Sequence, residues 1–185
     1  IDLSPSALER AVELTAEKIT DAGLPLDVEL LHALQRCEDD NVSRQAEELK
    51  SITGLANPNS TAQLHTWFAS KGINLPDLRR ETVEPLAADE SLPAEVRRVA
   101  ELRVASARVA GKKLAAAELR RGAGDRARGT LRYLGAHTGR WSGSGFQPQN
   151  LPREHLPKGE TVDDVLDKCL LGEPVTPVEV AACVR

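Results

Sequence analysis

Five aromatic side chains in 185 residues, Trp67, Phe68, Tyr133, Trp141 and Phe146, are too few to fill the interior of a chain this long. The core has to come from Leu, Val, Ile and Ala, which favours helices packed through aliphatic stripes over a sheet built on aromatic pairs. A chain of this length buries a real core and makes about one domain or one and a half. A mainly α fold is therefore expected.

No apolar run approaches the roughly 20 residues that span a bilayer, and the first thirty residues carry charges at helical spacing. A cytoplasmic setting without a membrane partner is expected. Cys37, Cys169 and Cys183 are widely spaced and form no CxxC pair, so neither a disulfide framework nor a zinc site is indicated. The chain contains no methionine and opens at Ile1 in what reads as the lead-in to a helix, so it is expected to be an excised piece of a longer protein.

Ser4-Pro5 reads as a helix start, and Leu8, Val12, Leu14 and Ile19 follow at helical spacing up to Gly23. Asp27 caps a second helix ended by Thr53-Gly54, and the two are expected to pack as a hairpin. Asn57-Pro58-Asn59-Ser60 turns into a short helix through Leu64, Trp67 and Phe68, closed by Lys71-Gly72. A linker with a helical turn or two spans residues 79–86. Pro93 starts the longest helix, over residues 94–121. A short strand is expected over 130–134, irregular loop over most of 142–157, and two last helices over 162–171 and 177–184. Rich in glycine and proline, residues 122–160 are the part expected to lack fixed structure in isolation.

Charge divides the chain. Residues 1–50 hold twelve acids against five bases, a balance of −7. Over residues 103–140 ten bases face Glu118 and Asp125, a balance of +8. Arg97, Arg108 and Lys112 fall within about 60° on one helix stripe, which suits phosphate or a solvated face alike. Continuation into a glycine-rich basic loop favours phosphate.

The segment from Arg132 to Arg153 contains Thr138-Gly139-Arg140 and, after a spacer, Gln149-Asn150-Leu151-Pro152. It resembles the first palm motif of family A DNA polymerases, of the DNA polymerase I type, and the wording Gly135-Ala136-His137-Thr138-Gly139-Arg140-Trp141-Ser142-Gly143 looks like the bacteriophage and prophage branch. Asn57 to Leu64 is similar to a turn in the thumb of these enzymes, and Glu101-Leu102-Arg103 with Lys112-Lys113-Leu114 to its long helix. The resemblance covers most of residues 20–153. It implies a helical thumb over 1–121, with a long helix, followed by an incomplete start of the palm over 122–185, a small β element and irregular loop.

The resemblance further implies a partner, primer–template DNA, and a set of DNA contacts. Arg140, Gln147, Gln149 and Asn150 would lie at the minor groove or backbone near the primer end, and Arg108, Lys112 and Lys113 would lie along the thumb helix. Gln147 stands where the bacterial branch commonly has asparagine. Trp141 reads as a core anchor ahead of a base-stacking residue, His137 as a polar support of its loop, and Tyr133 and Leu134 as strand residues. The parent would use Mg2+ and deoxynucleoside triphosphates, through aspartates of later palm motifs and a lysine and tyrosine of the fingers that are not found here. No cofactor, metal ligand or catalytic residue is therefore assigned to this chain, and alone it is expected to be inactive. Asp163-Asp164, adjacent on a helix, reads as a solvated face. Two other readings remain open: a stand-alone helical DNA-binding protein without polymerase activity, and a structural helical module.

Overall fold

The computed structural model describes residues 6–106, 110–147, 150, 156 and 158–184. The fold is mainly α, with two small sheets. It divides into two compact units, one of Ile1–Cys37 with Val109–Arg185 and one of Glu38–Arg108. The expected division at residue 121 falls inside the first. Among the described residues no helix is long and apolar enough to cross a membrane.

The unit Glu38–Arg108 is built from the later part of α2 (Val28–Thr53), α3 (Thr61–Ser70), α4 (Arg80–Ala88) and α5 (Ala94–Ser106). Local signals set each end. Gly54, at φ +68°, closes α2. Ser60 Oγ accepts the Gln63 N–H at 3.4 Å to start α3, and Gln63 Oε1 accepts the Asn57 N–H at 3.1 Å. Asp77 accepts from the Arg79 N–H at 2.9 Å and the Thr82 hydroxyl at 2.7 Å, which fixes the entry to α4. That linker is a fuller helix than the turn or two expected. The interior is one aliphatic cluster around Phe68, with Leu49, Leu64, Val83, Val96, Val99 and Leu102. Trp67 meets Phe68 edge to face at 5.3 Å.

In the other unit, α1 (Ala7–Ala22) begins at a capping box. Ser6 Oγ accepts the Glu9 N–H, and the Glu9 carboxylate accepts the Ser6 N–H. The expected start at Ser4-Pro5 lies outside the described residues. The expected hairpin of α1 against α2 is not formed: Leu8, Leu14 and Ile19 are exposed, and of α1 only Ala16 is buried. The cause is the connection. Gly23, at φ +67°, turns the chain into β1 (Leu24–Pro25), which enters a sheet instead of folding the helices together. Asp27 Oδ1 then caps α2 by accepting the Leu30 N–H at 3.0 Å.

Of the helix expected over 94–121, α5 and α6 (Ala110–Leu119) are described, and residues 107–109 are not. Helix α6 ends early because Arg121 enters a strand. Strands β2 (Arg121–Gly122) and β3 (Arg126–Ala127) are antiparallel neighbours, and β1 pairs with the far side of β3. A second hairpin pairs β4 (Leu131–Arg132) with β5 (Ser142–Gly143), Arg132 opposite Ser142. The strand expected over 130–134 is thus shorter. Tyr133 and Leu134 belong to a turn, Leu134 with φ +49°.

Helices α7 (Val162–Leu171) and α8 (Pro177–Cys183) start at capping boxes on Thr161 and Thr176. Asp163 and Asp164 are both exposed, as the solvated-face reading expects, and Asp164 also completes the α7 cap. This core joins Leu31, Leu34 and Cys37 to Leu114, Val165, Cys169 and Val180. The three cysteines are free thiols. Burial, then a hydrogen bond with Cys37, pushes the Cys169 thiol up to about 12.

Candidate nucleic-acid interface

The residues with the most specific motif lie on and after the β4–β5 hairpin. Its turn is closed by the Ala136 N–H donating to the Arg140 carbonyl at 3.2 Å and the Gly139 N–H donating to the Ala136 carbonyl at 2.9 Å, with Gly139 at φ +72°. Arg140 is exposed, and its guanidinium has no hydrogen-bond or ion-pair partner among the described residues. Past β5, the Gln147 amide donates to the Gly143 carbonyl at 3.4 Å, and Gln147 Oε1 accepts from Asn150 Nδ2 at 2.7 Å. Gln147 and Asn150 thus meet just past the hairpin, and Arg140 stands exposed in its turn. Gln149 and Arg108 lie outside the described residues.

Trp141 is not a core anchor. It is 42% exposed, and its ring meets that of Tyr133 edge to face. His137 is exposed as well, without a described hydrogen bond to the loop it was expected to support.

Four arginines of the basic run are engaged by the chain itself, three of them on backbone carbonyls. Arg120 donates to the Gly129 carbonyl at 3.0 Å and to Ser144 Oγ at 3.2 Å. A Cβ on Gly129 or Gly145 would approach within 2.6 or 2.5 Å of that guanidinium, so the two glycines make room for it. Arg126 donates to the carbonyls of Ala22 and Gly23, and Arg128 to that of Asp21 at 2.7 Å. These carbonyls end α1, where the helix dipole favours a cation. Arg121 pairs with Glu118 at 2.7 Å and Asp125 at 3.1 Å, and the hydrogen bond from Arg121 holds the Glu118 carboxyl below its usual range. The glycine-rich basic loop expected to approach a polyanion is therefore tied down by its own charges. What it offers outward is the hairpin it supports.

Lys112 and Lys113 sit on α6, the first exposed and the second half-buried. Lys113 lines an open hollow of about 310 Å³ together with Leu114 and Phe146, next in sequence to Gln147. Arg97 belongs to the other unit, and its Nε is buried without a hydrogen-bond partner among the described residues. No single stripe with Arg108 and Lys112 is described.

The unit Glu38–Arg108 contains a cationic hollow that the sequence reading missed. Arg79, Arg80 and Arg103 line an open cleft of about 590 Å³ with Thr61 and His65, beside Asp77 and Glu81. Arg80 bonds Glu84 at 3.0 Å, and Arg79 lies 3.5 Å from Asp77. Arg103 donates to Ser106 Oγ at 3.3 Å, and its Nε is buried with no hydrogen-bond partner among the described residues. A positive balance over 103–140 includes Arg103, but nothing in the sequence places it opposite the start of α3. Among the described residues no group of three His, Cys, Asp or Glu side chains could hold a metal ion.

The chain is 36% identical over 151 residues to a DNA polymerase of Bacillus phage SP02. The similarity is to a polymerase. It covers 81% of this chain and 23% of that protein, so the chain spans about a quarter of the length of the relative it matches. No protein-family model matches the chain, and no solved structure does.

Proposed function

We propose that this chain is the DNA-gripping part of a family A DNA polymerase of phage or prophage type, with a thumb over 1–121 and the start of the palm over 122–185. The observation that carries this reading is the hairpin. Residues 126–153 hold five arginines and no carboxylate, and the outward one at the turn, Arg140, stands in the threonine-glycine-arginine motif. The phage relative supports the reading at the level of a DNA polymerase.

The chemistry fits a grip that ignores sequence. Purine N3 and pyrimidine O2 present acceptors in the minor groove at every base pair, so long donors can hold any correctly paired primer end. Arg140 supplies a charged donor, and Gln147, Gln149 and Asn150 supply amides, with Asn150 oriented by its bond to Gln147. Lys112, Lys113 and Arg108 would meet phosphates, and so would Arg103 in the cleft beside Thr61, where its spare Nε–H has a use. Each unit thus offers cations of its own to the duplex.

Nucleotide addition itself uses two Mg2+ ions clamped by aspartates. In this reading those aspartates, the Mg2+ and the triphosphate site belong to other parts of the parent polymerase, in the cytoplasm of the host, and this chain alone does not extend a primer. The test is a fluorescence-anisotropy titration against a primer–template duplex at several salt concentrations. Each phosphate contact contributes about 0.9 to the log–log slope, so four contacts give about −3.6. Salt-sensitive binding that Arg140→Ala weakens supports the grip. Absence of binding at low salt removes it.

A further inference from the structure

Tyr133 and Trp141 lie one step beyond the paired residues Arg132 and Ser142, and their rings meet edge to face with centroids 5.5 Å apart. In such a contact one ring gives its edge and the other a single face, so at least one face of the Trp141 indole is left for something else. Trp141 is 42% exposed, against 8% for Trp67, the chain's other indole. The turn beneath the pair is held in a demanding shape. Leu134 takes φ +49°, a conformation a branched aliphatic residue adopts at a cost. A Cβ on Gly135 would lie 1.9 Å from Ser142 Oγ. Backbone strain of this kind persists where the surroundings enforce a particular presentation of side chains.

Charge narrows the choice of what the free face takes. Arg132 and Arg140, both exposed, directly precede Tyr133 and Trp141 in sequence, and the nearest acids along the chain are Asp125 and Glu154. An exposed ring among cations, with no carboxylate on its own hairpin, suits a planar group attached to a polyanion. Bases inside a duplex have both faces covered by their neighbours, whereas an unpaired base has a face to give.

We propose that Trp141, braced by Tyr133, is a stacking platform for an unpaired nucleobase of a DNA strand whose phosphates Arg132 and Arg140 attract. The proposal rests on the DNA-gripping reading above and adds a contact with single-stranded DNA, such as the overhang of a template. Stacking of this kind is indifferent to base identity, as a template contact requires.

The test compares two primer–template DNAs of equal charge, one with an ordinary single-stranded overhang and one whose overhang is abasic. Anisotropy of labelled DNA reads binding, and in a Trp67→Phe chain the emission of Trp141 reads stacking. The ordinary overhang is expected to bind about tenfold more tightly than the abasic one and to quench Trp141, and Trp141→Ala is expected to bind the two DNAs equally. Should Trp67→Phe disturb folding, Trp141→Ala in the otherwise unaltered chain reads the same preference by anisotropy alone. Equal binding of both DNAs by the unaltered chain, with Trp141 emission unchanged, overturns the stacking platform and leaves the grip standing. No binding of either DNA overturns both.

Discussion

The helical unit Glu38–Arg108 and the segment from Arg120 to Gln147 are held together by different forces. In the first, Phe68 and its aliphatic neighbours are withdrawn from water, and charges such as Arg98, Glu48 and Glu101 pair on the outside. In the second the strands are two residues long, and three guanidinium groups reach backbone carbonyls across glycine turns. The first arrangement makes a stable body from a generic pattern. The second fixes one particular loop shape, which is what a site needs and what apolar burial alone does not specify.

This contrast can be broken first at Phe68. Phe68→Ala is expected to destabilise the helical unit by about 3–5 kcal/mol, because a fully buried aromatic leaves a cavity. Urea denaturation followed through Trp67 would show it, and a loss below about 1 kcal/mol would mean that the unit does not depend on this core. Next is Gly23→Ala, where the new Cβ would sit 2.6 Å from the Ala127 carbonyl oxygen on backbone at φ +67°. A loss of about 2–3 kcal/mol is expected, read as a lowered thermal midpoint.

Arg120→Ala sharpens the comparison. Loss of the bonds to Gly129 and Ser144 should cost about 1–3 kcal/mol, and Trp141 emission should become more mobile while Trp67 is unchanged. The smallest effect belongs to the surface pair of Arg98 with Glu48. Both side chains are more than a third exposed, so solvent screening limits Arg98→Ala to about 0.5–1 kcal/mol. The hydrogen bond from Arg98 holds the Glu48 carboxyl below its ordinary 4.5. The contribution is therefore complete above that value and is lost as pH falls through the lowered folded one, which an acid titration of stability in the unaltered chain and in Arg98→Ala would show.

The helices were legible because their signals are local. Ser60 before Thr61, Lys71-Gly72 after Ser70, and Thr161 and Thr176 with their capping acids mark ends within four residues of the bonds they make. The threonine-glycine-arginine motif singled out Arg140, which the structure leaves exposed at the hairpin turn, but the use of Arg120, Arg126 and Arg128 on backbone carbonyls was not legible. Arg126 and Arg128 bond carbonyls more than 100 positions away, and no periodicity carries that information. The α1–α2 hairpin failed for a similar reason: one glycine and two extended residues redirected the chain into a sheet whose partner, Arg126–Ala127, lies far along it. Trp141 was expected in the core, whereas on the hairpin it is 42% exposed.

The most direct measurement is amide hydrogen exchange of this chain with and without a primer–template duplex. Binding through the hairpin should slow exchange over residues 129–147 and at the start of α3 beside Arg103, and should leave α7 and α8 unchanged. Protection confined to α7 and α8, or none anywhere under conditions where the DNA is bound, would contradict the assignment of Arg140 and its hairpin as the DNA-facing surface.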